Sequence, residues 1–431
     1  MLFTIGMVLV ATLVLGSETG SSQPPGTRLL AVALLLSTTF LFGVIDAAQP
    51  IALLAVGGLL MLALTLPKSD SPTEAVPRSG RRMSVSSLEP TVLALCLTTW
   101  MLARNVAAVG PGFRVVAPYT LAIVALVGIE MLRSAGQLSH ASLARPFIAF
   151  LAAVLLLSPY LSETPWLACR AEKCSFAGQI YRGIFPSENS LAIFVAFALT
   201  LALATTRRST RLIQVPALLA ILLATGARTA LFGLGLALVV AGAVSLLSRR
   251  EASDHLRLAP WAAVSTAAGI TAAALALLGT ADEFTLSGRG RTWVAALEQV
   301  PLTSLTGAGS SRWTELQDRG LLTQHFPHSQ FLHLLFSGGL VAVGLWTWIL
   351  VALLLRAHGD TRPKLMLQLA PIILIGLFGA TEIIWNPATI DSFTVLIVSV
   401  LLVSPRLRSA HEPGELPIAE VMPSPPLEPA R

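Results

Sequence analysis

Apolar runs long enough for a membrane-crossing helix, about 17–25 residues, recur along most of this chain, separated by short polar stretches. They lie near 2–16, 27–45, 50–66, 89–107, 114–132, 145–161, 189–205, 212–225, 229–247, 259–280, 330–355, 365–384 and 388–404. Each predicts a membrane span, thirteen in all, the first of them short. The pair around Gly226-Ala-Arg228 reads equally as one broken or re-entrant hairpin.

Between two of the runs lies a polar and amphipathic insert, 281–329. It opens Ser287-Gly-Arg-Gly-Arg-Thr-Trp293, passes Pro301 and Gly307-Ala-Gly309, and closes Pro327-His-Ser-Gln-Phe-Leu332 as the next apolar run begins. The remaining polar stretches, 67–88 and the proline-rich tail 405–431, read as disordered cytoplasmic segments. The chain therefore divides into N-terminal spans (1–160), a core with the insert (161–356), C-terminal spans (357–404) and a tail (405–431).

Composition sharpens this into a class. The 431 residues are 54% hydrophobic and 12% charged, with a mean hydropathy of +0.74. Soluble domains carry about a quarter charged residues, so the expected fold is an all-α polytopic membrane protein with about 12–13 transmembrane helices and one large extracytoplasmic loop. The expected location is a multi-pass place in the cell membrane, in contact with the lipid bilayer. The net charge of +6 does not imply a nucleic-acid partner, because the cations follow topology. With the insert placed outside, 19 of the 29 Lys and Arg fall in cytoplasmic segments, as the positive-inside rule requires. No basic leader precedes the first run, so it reads as a span with its N-terminus outside and not as a cleaved signal peptide.

The outside cations that topology leaves unexplained gather at Arg170–Arg182, at Arg228 and in the insert. Arg228 stands where one span ends and the next begins. A cation at that depth either lines a wet cavity or snorkels to the surface. Arg289 and Arg291 open the insert beside Trp293, and guanidinium forks suit bidentate contact with phosphate oxygens. His328 follows Pro327 where a helix begins, and a helix N-terminus favours a neutral, proton-accepting imidazole; the bland alternative is an interfacial histidine without a role. Asn189 either caps the helix it precedes or faces a ligand, and Glu188 either binds a sugar hydroxyl or faces water. Cys169 and Cys174, in an outside loop where oxidation is permitted, are either a local disulfide or two free thiols. The outside acids show no metal-ligand spacing and no phosphate-cradling Gly-Lys-Ser/Thr loop is present, so neither a metal nor a nucleotide cofactor is expected.

In order and spacing, Gly183-x-Phe-x-x-x-Asn189, Thr225-x-x-Arg228, Gly288-Arg289-x-x-x-Trp293, Pro301, Gly307-x-Gly309, His328-Ser-Gln-Phe-Leu332 and Gly339 resemble the O-antigen ligase and O-antigen polymerase-like superfamily. The resemblance covers roughly 160–345 and implies a GT-C-like helical scaffold. It also implies a metal-independent glycosyltransferase that moves a glycan from undecaprenyl diphosphate to a hydroxyl of a glycan or glycolipid acceptor at the extracytoplasmic face. On that resemblance Arg228 and Arg289 hold the diphosphate and His328 acts as general base. Asn189, Glu188, Trp293 and Arg182 are then substrate-binding candidates, and Arg291, which does not occupy the motif position, is a supporting one. Two positions depart from the pattern: Ser329 stands where the family often has Asn, and Glu188 where Pro is common. The competing expectation is a flippase or exporter of lipid-linked glycans, whose coupling groups would lie near mid-membrane. Glu382 and Asp391 are a weak set for that role, placed near the outer end of the spans.

Overall fold

The computed structural model describes residues 90–134, 151, 158, 162, 164–170, 173–183, 185, 187–205, 208–247, 255–322, 327–357 and 362–386. The expected spans near 2–16, 27–45, 50–66 and 388–404, nearly all of 145–161, and the segments 67–88 and 405–431 lie outside these residues. The described chain is mostly helical. Helices α1 (Pro90–Val109), α2 (Phe113–Ser134), α3 (Glu188–Thr205), α4 (Arg208–Ala224), α5 (Arg228–Leu247), α6 (His255–Gly279), α9 (Gln330–Arg356) and α10 (Arg362–Gly379) lie on eight of the expected spans. The insert adds two short helices, α7 (Thr285–Gln299) and α8 (Ser310–Asp318).

By length and composition, four helices of this set are able to cross a membrane: Pro90–Val109, Arg228–Leu246, Trp261–Gly279 and Gln330–Arg356. Their apolar residues face all directions, as they do in helices surrounded by protein or lipid. Phe232 and Val239 on α5, and Leu212 and Ile213 on α4, project from the outside of the bundle, where in a bilayer they would meet acyl chains. The Gln330–Arg356 window is 61% buried, against 28–33% for the other three, so α9 is the central helix. It packs along α1 and α6, while α10 lies along α5 and α3 and also touches α9.

The chain is not purely α. Two short antiparallel strands, β1 (Trp166–Leu167) and β2 (Ile180–Tyr181), pair in register Trp166↔Tyr181 and Leu167↔Ile180. Beyond them Arg170 and Lys173 exchange backbone hydrogen bonds of 2.9 and 3.0 Å, and Cys169 is disulfide-bonded to Cys174. The result is a small cross-linked hairpin. The periodicity of the sequence did not show it, because strands this short leave no alternating pattern.

The apolar run 330–355 predicts one uninterrupted helix, but α9 is broken. Gly339 has φ 70 and ψ −166, a conformation essentially restricted to glycine. The break frees backbone groups that are costly to leave unpaired in an apolar interior, and the 304–309 loop of the insert pairs them. Ala308 and Gly309 N–H donate to the carbonyls of Phe336 (2.7 Å) and Ser337 (3.1 Å). In return Leu340 and Val341 N–H donate to Ser304 (2.8 Å) and Leu305 (3.2 Å). A Cβ on Gly307 would meet Gly339 N at 2.6 Å and Phe336 O at 2.7 Å, so the loop needs glycine to enter. From α1, Arg104 donates to Thr306 O and Gly307 O (2.9 and 3.0 Å), and Trp100 Nε1 to Gly338 O (2.7 Å). The insert is therefore stitched into the bundle.

Candidate functional site

Where the sequence read helix start and histidine as one feature, the structure separates them. Ser329, in extended conformation, is the N-cap of α9, and its hydroxyl accepts from Leu332 N at 3.2 Å. His328 precedes the cap, so it does not receive the helix terminus directly. It holds φ 49, a left-handed conformation that non-glycine residues adopt at an energetic cost. Trp293 Nε1 donates to Pro327 O at 2.6 Å from a completely buried ring, fixing the backbone just before His328. Trp293, a substrate-binding candidate by resemblance, is buried in this structure and braces the backbone before His328.

Gln330, the first residue of α9, captures the segment that follows α10. Its backbone N–H donates to Glu382 O (3.0 Å). Its side-chain oxygen accepts from Ile384 N (2.9 Å) and Trp385 N (2.7 Å), and its amide donates to Trp385 O (2.8 Å). This clamp places Glu382 beside His328.

Glu382 is the meeting point of the site. One carboxylate oxygen accepts from Arg289 Nη2 at 2.5 Å and from Asn189 Nδ2 at 3.5 Å. The other lies 3.5 Å from His328 Nδ1. Arg289 also donates to Thr381 O. The side chains of Arg289 and Glu382 are 16% and 18% exposed and that of His328 is 35% exposed, so solvent reaches the histidine more than its partners.

A second set of charges adjoins the first. Lys173 of the hairpin donates to Asn189 Oδ1 (2.7 Å) and Glu188 Oε1 (2.9 Å), and Arg170 pairs with Glu188 as well. Burial holds the Lys173 ammonium below the usual lysine value; Glu188 opposes that shift, and the nearby charges of Arg170 and Arg289 add to it. Asn189 is not the helix cap: Ser187 is, its hydroxyl accepting from Ser190 N at 3.1 Å. Nor does Glu188 face water, since it is buried against its two cations.

Of the expected site residues, Arg289, His328, Asn189 and Glu188 are thus joined in one network. Arg228 is the exposed first residue of α5 and makes no ion pair with a described residue. The turn before it does approach the network, because a Cβ on Gly226 would sit 3.2 Å from the Cys174 backbone. Arg291 lies apart, well exposed and 3.8 Å from Glu283. Arg182 holds Thr164 through its carbonyl (3.1 Å) and hydroxyl (2.6 Å), bracing the base of the hairpin.

Sequence reasoning passed over Lys173, Gln330 and the central part of Glu382. The one available signal was the placement of Glu382, an acid at the end of an apolar run with no cation near it in sequence to explain it. Among the described residues no group of three or more His, Cys, Asp or Glu side chains could hold a metal ion. No protein-family model, curated protein or solved structure matches the chain.

Proposed function

We propose that the chain is a membrane glycan transferase that moves a glycan from a polyprenyl diphosphate, of the undecaprenyl type, to an acceptor hydroxyl at the extracytoplasmic face. The observation that carries this reading is the convergence of Arg289 and His328 on Glu382. A fork suited to phosphate oxygens and a half-exposed imidazole, 39 positions apart in sequence, share one wall of a polar patch on an otherwise apolar bundle. The motifs described above, ordered as in the ligase and polymerase superfamily, point the same way.

In this reaction the acceptor oxygen forms a bond to the anomeric carbon as the bond from that carbon to the diphosphate breaks. The diphosphate leaves with the bonding electrons, and the hydroxyl proton passes to His328. Arg289 meets the charge gathering on the leaving group, a stabilisation worth more in a partly dry site than in water. Arg228, near the hairpin, is the second cation proposed for the diphosphate. A diphosphate is already a good leaving group, so the protein's share is orientation and charge stabilisation.

Purified protein supplied with a lipid-diphosphate glycan should release the polyprenyl diphosphate and yield a longer or newly attached glycan. His328→Ala and Arg289→Ala should each lower the rate by a factor of about 10²–10⁴ while the protein still inserts. Arg289→Lys should also be impaired, because an ammonium keeps the charge and loses the fork. Near-wild-type transfer in the two alanine variants would refute the site. Substrate that crosses the bilayer chemically unchanged would instead identify a flippase.

A further inference from the structure

Glu382 lies on the segment after α10, beyond the 160–345 region in which the motifs occur. The two oxygens of its carboxylate are used differently. Arg289 and Asn189 take one, and the ring of His328 faces the other through Nδ1.

We propose that Glu382 is a positioning residue that holds His328 in the Nδ1–H tautomer, leaving Nε2 bare to receive the proton of the acceptor hydroxyl. The inference deepens the function proposed above, and rests on it only for what the bare nitrogen is used for.

Three observations carry it. First, neutral imidazole has one donor and one acceptor nitrogen, and a carboxylate offers only acceptors. The nitrogen facing Glu382 is therefore the one that carries hydrogen. Second, both partners are fixed. Gln330 holds the backbone around Glu382 by four hydrogen bonds, while the Trp293 brace and the Ser329 cap hold the backbone on either side of His328. Third, His328 sits at φ 49, and strain of this kind persists where the surroundings over-determine it. The 3.5 Å separation is long for a finished hydrogen bond, as is common for catalytic pairs before substrate binds. Asn189 and Arg289 keep the carboxylate from turning away. Once the proton is transferred, the same carboxylate lies against an imidazolium and stabilises it.

The test uses full-length protein in detergent with ¹⁵N-labelled histidine, at a pH where imidazole is neutral. His328→Gln identifies the His328 signals among the seven histidines. In the wild type the His328 nitrogen shifts should report the Nδ1–H form, against the Nε2–H preference of a free side chain. Glu382→Gln, which keeps shape but loses the carboxylate, should shift the population toward Nε2–H, and Glu382→Asp should partly restore Nδ1–H. In the transfer assay Glu382→Gln should lower kcat about 10²-fold or more with KM little changed. An unchanged tautomer in Glu382→Gln overturns the proposal, even if the variant unfolds at a lower temperature, because that result leaves Glu382 a structural ion pair only. The tautomer measurement reads no glycan chemistry. A chain that transfers nothing while showing the tautomer change would refute the proposed reaction and leave the Glu382–His328 pairing standing.

Discussion

Glu382, Gln330 and Lys173 show how a site can be assembled by residues to which the sequence pattern assigns no role. Gln330 is the clearest case, since its side chain satisfies Ile384 N, Trp385 N and Trp385 O inside the protein. Leaving a buried donor or acceptor unpaired costs about 1–3 kcal/mol. Gln330→Ala should therefore lower stability by on the order of 3 kcal/mol, read as the unfolding midpoint in detergent. Activity should fall even at temperatures where the variant is folded, because Glu382 loses its seat. A midpoint equal to wild type would show that the clamp is dispensable. Lys173 gives a pH dependence. Its folded pKa lies below the free value of 10.5, so between the two the unfolded chain binds more protons and stability rises with pH. Below the folded value the penalty is fully in place. Lys173→Met should flatten that alkaline rise in the unfolding midpoint. Arg289 and His328 were legible because a fork and an imidazole are conspicuous in a polar insert. Glu382 was not, because its partners are 93 and 54 positions away and no periodicity links them. Sequence proximity does not show which way neighbouring side chains point: on α7 the Trp293 ring turns inward while the Arg289 guanidinium faces Glu382.

Hydropathy found the helices but not the break in α9. Apolarity sets how long a run is, whereas the break depends on Gly339 and on a loop some thirty residues upstream that supplies the missing partners. The motif glycines at 307 and 339 thus read as architecture and not as a ligand loop. Gly339→Ala should be among the most damaging single changes in the chain, because its backbone conformation excludes a side chain and the added methyl would strike the Leu305 carbonyl. Loss of folded protein in a detergent-solubility assay is the expected result; normal yield and midpoint would show that α9 can straighten. The α8 stretch, whose sequence suggests no role, is part of the same architecture. Trp313 and Leu316 are buried, with Trp313 edge-on to Phe336 at 5.1 Å. Tyr119 on α2 meets Ser310 at 2.8 Å.

Across the whole molecule, the polar network gathers where the central helix α9 begins, α10 has just ended and α3 starts. Each supplies what its own end provides: His328 from before α9, Glu382 from after α10, Glu188 and Asn189 from the first turn of α3. The α7 helix and the hairpin then add Arg289 and Lys173 from outside the bundle. A site built this way depends on helix packing around it, since sliding α10 along α9 would move Glu382 away from Arg289, Asn189 and His328.

The cross-linked hairpin also gives the molecule a label of its own orientation. Cys169 and Cys174 are both exposed and are joined to each other, leaving Cys96 as the one free thiol of three. Since Lys173 ties this hairpin to Asn189, whichever compartment can reach the sulfurs is the compartment onto which the site opens. In intact cells, a reductant unable to cross membranes should expose two additional thiols to an equally impermeant maleimide. If those thiols appear only after the membrane is permeabilised, the site faces the cytoplasm, and a donor displayed on the outer leaflet could not be its substrate.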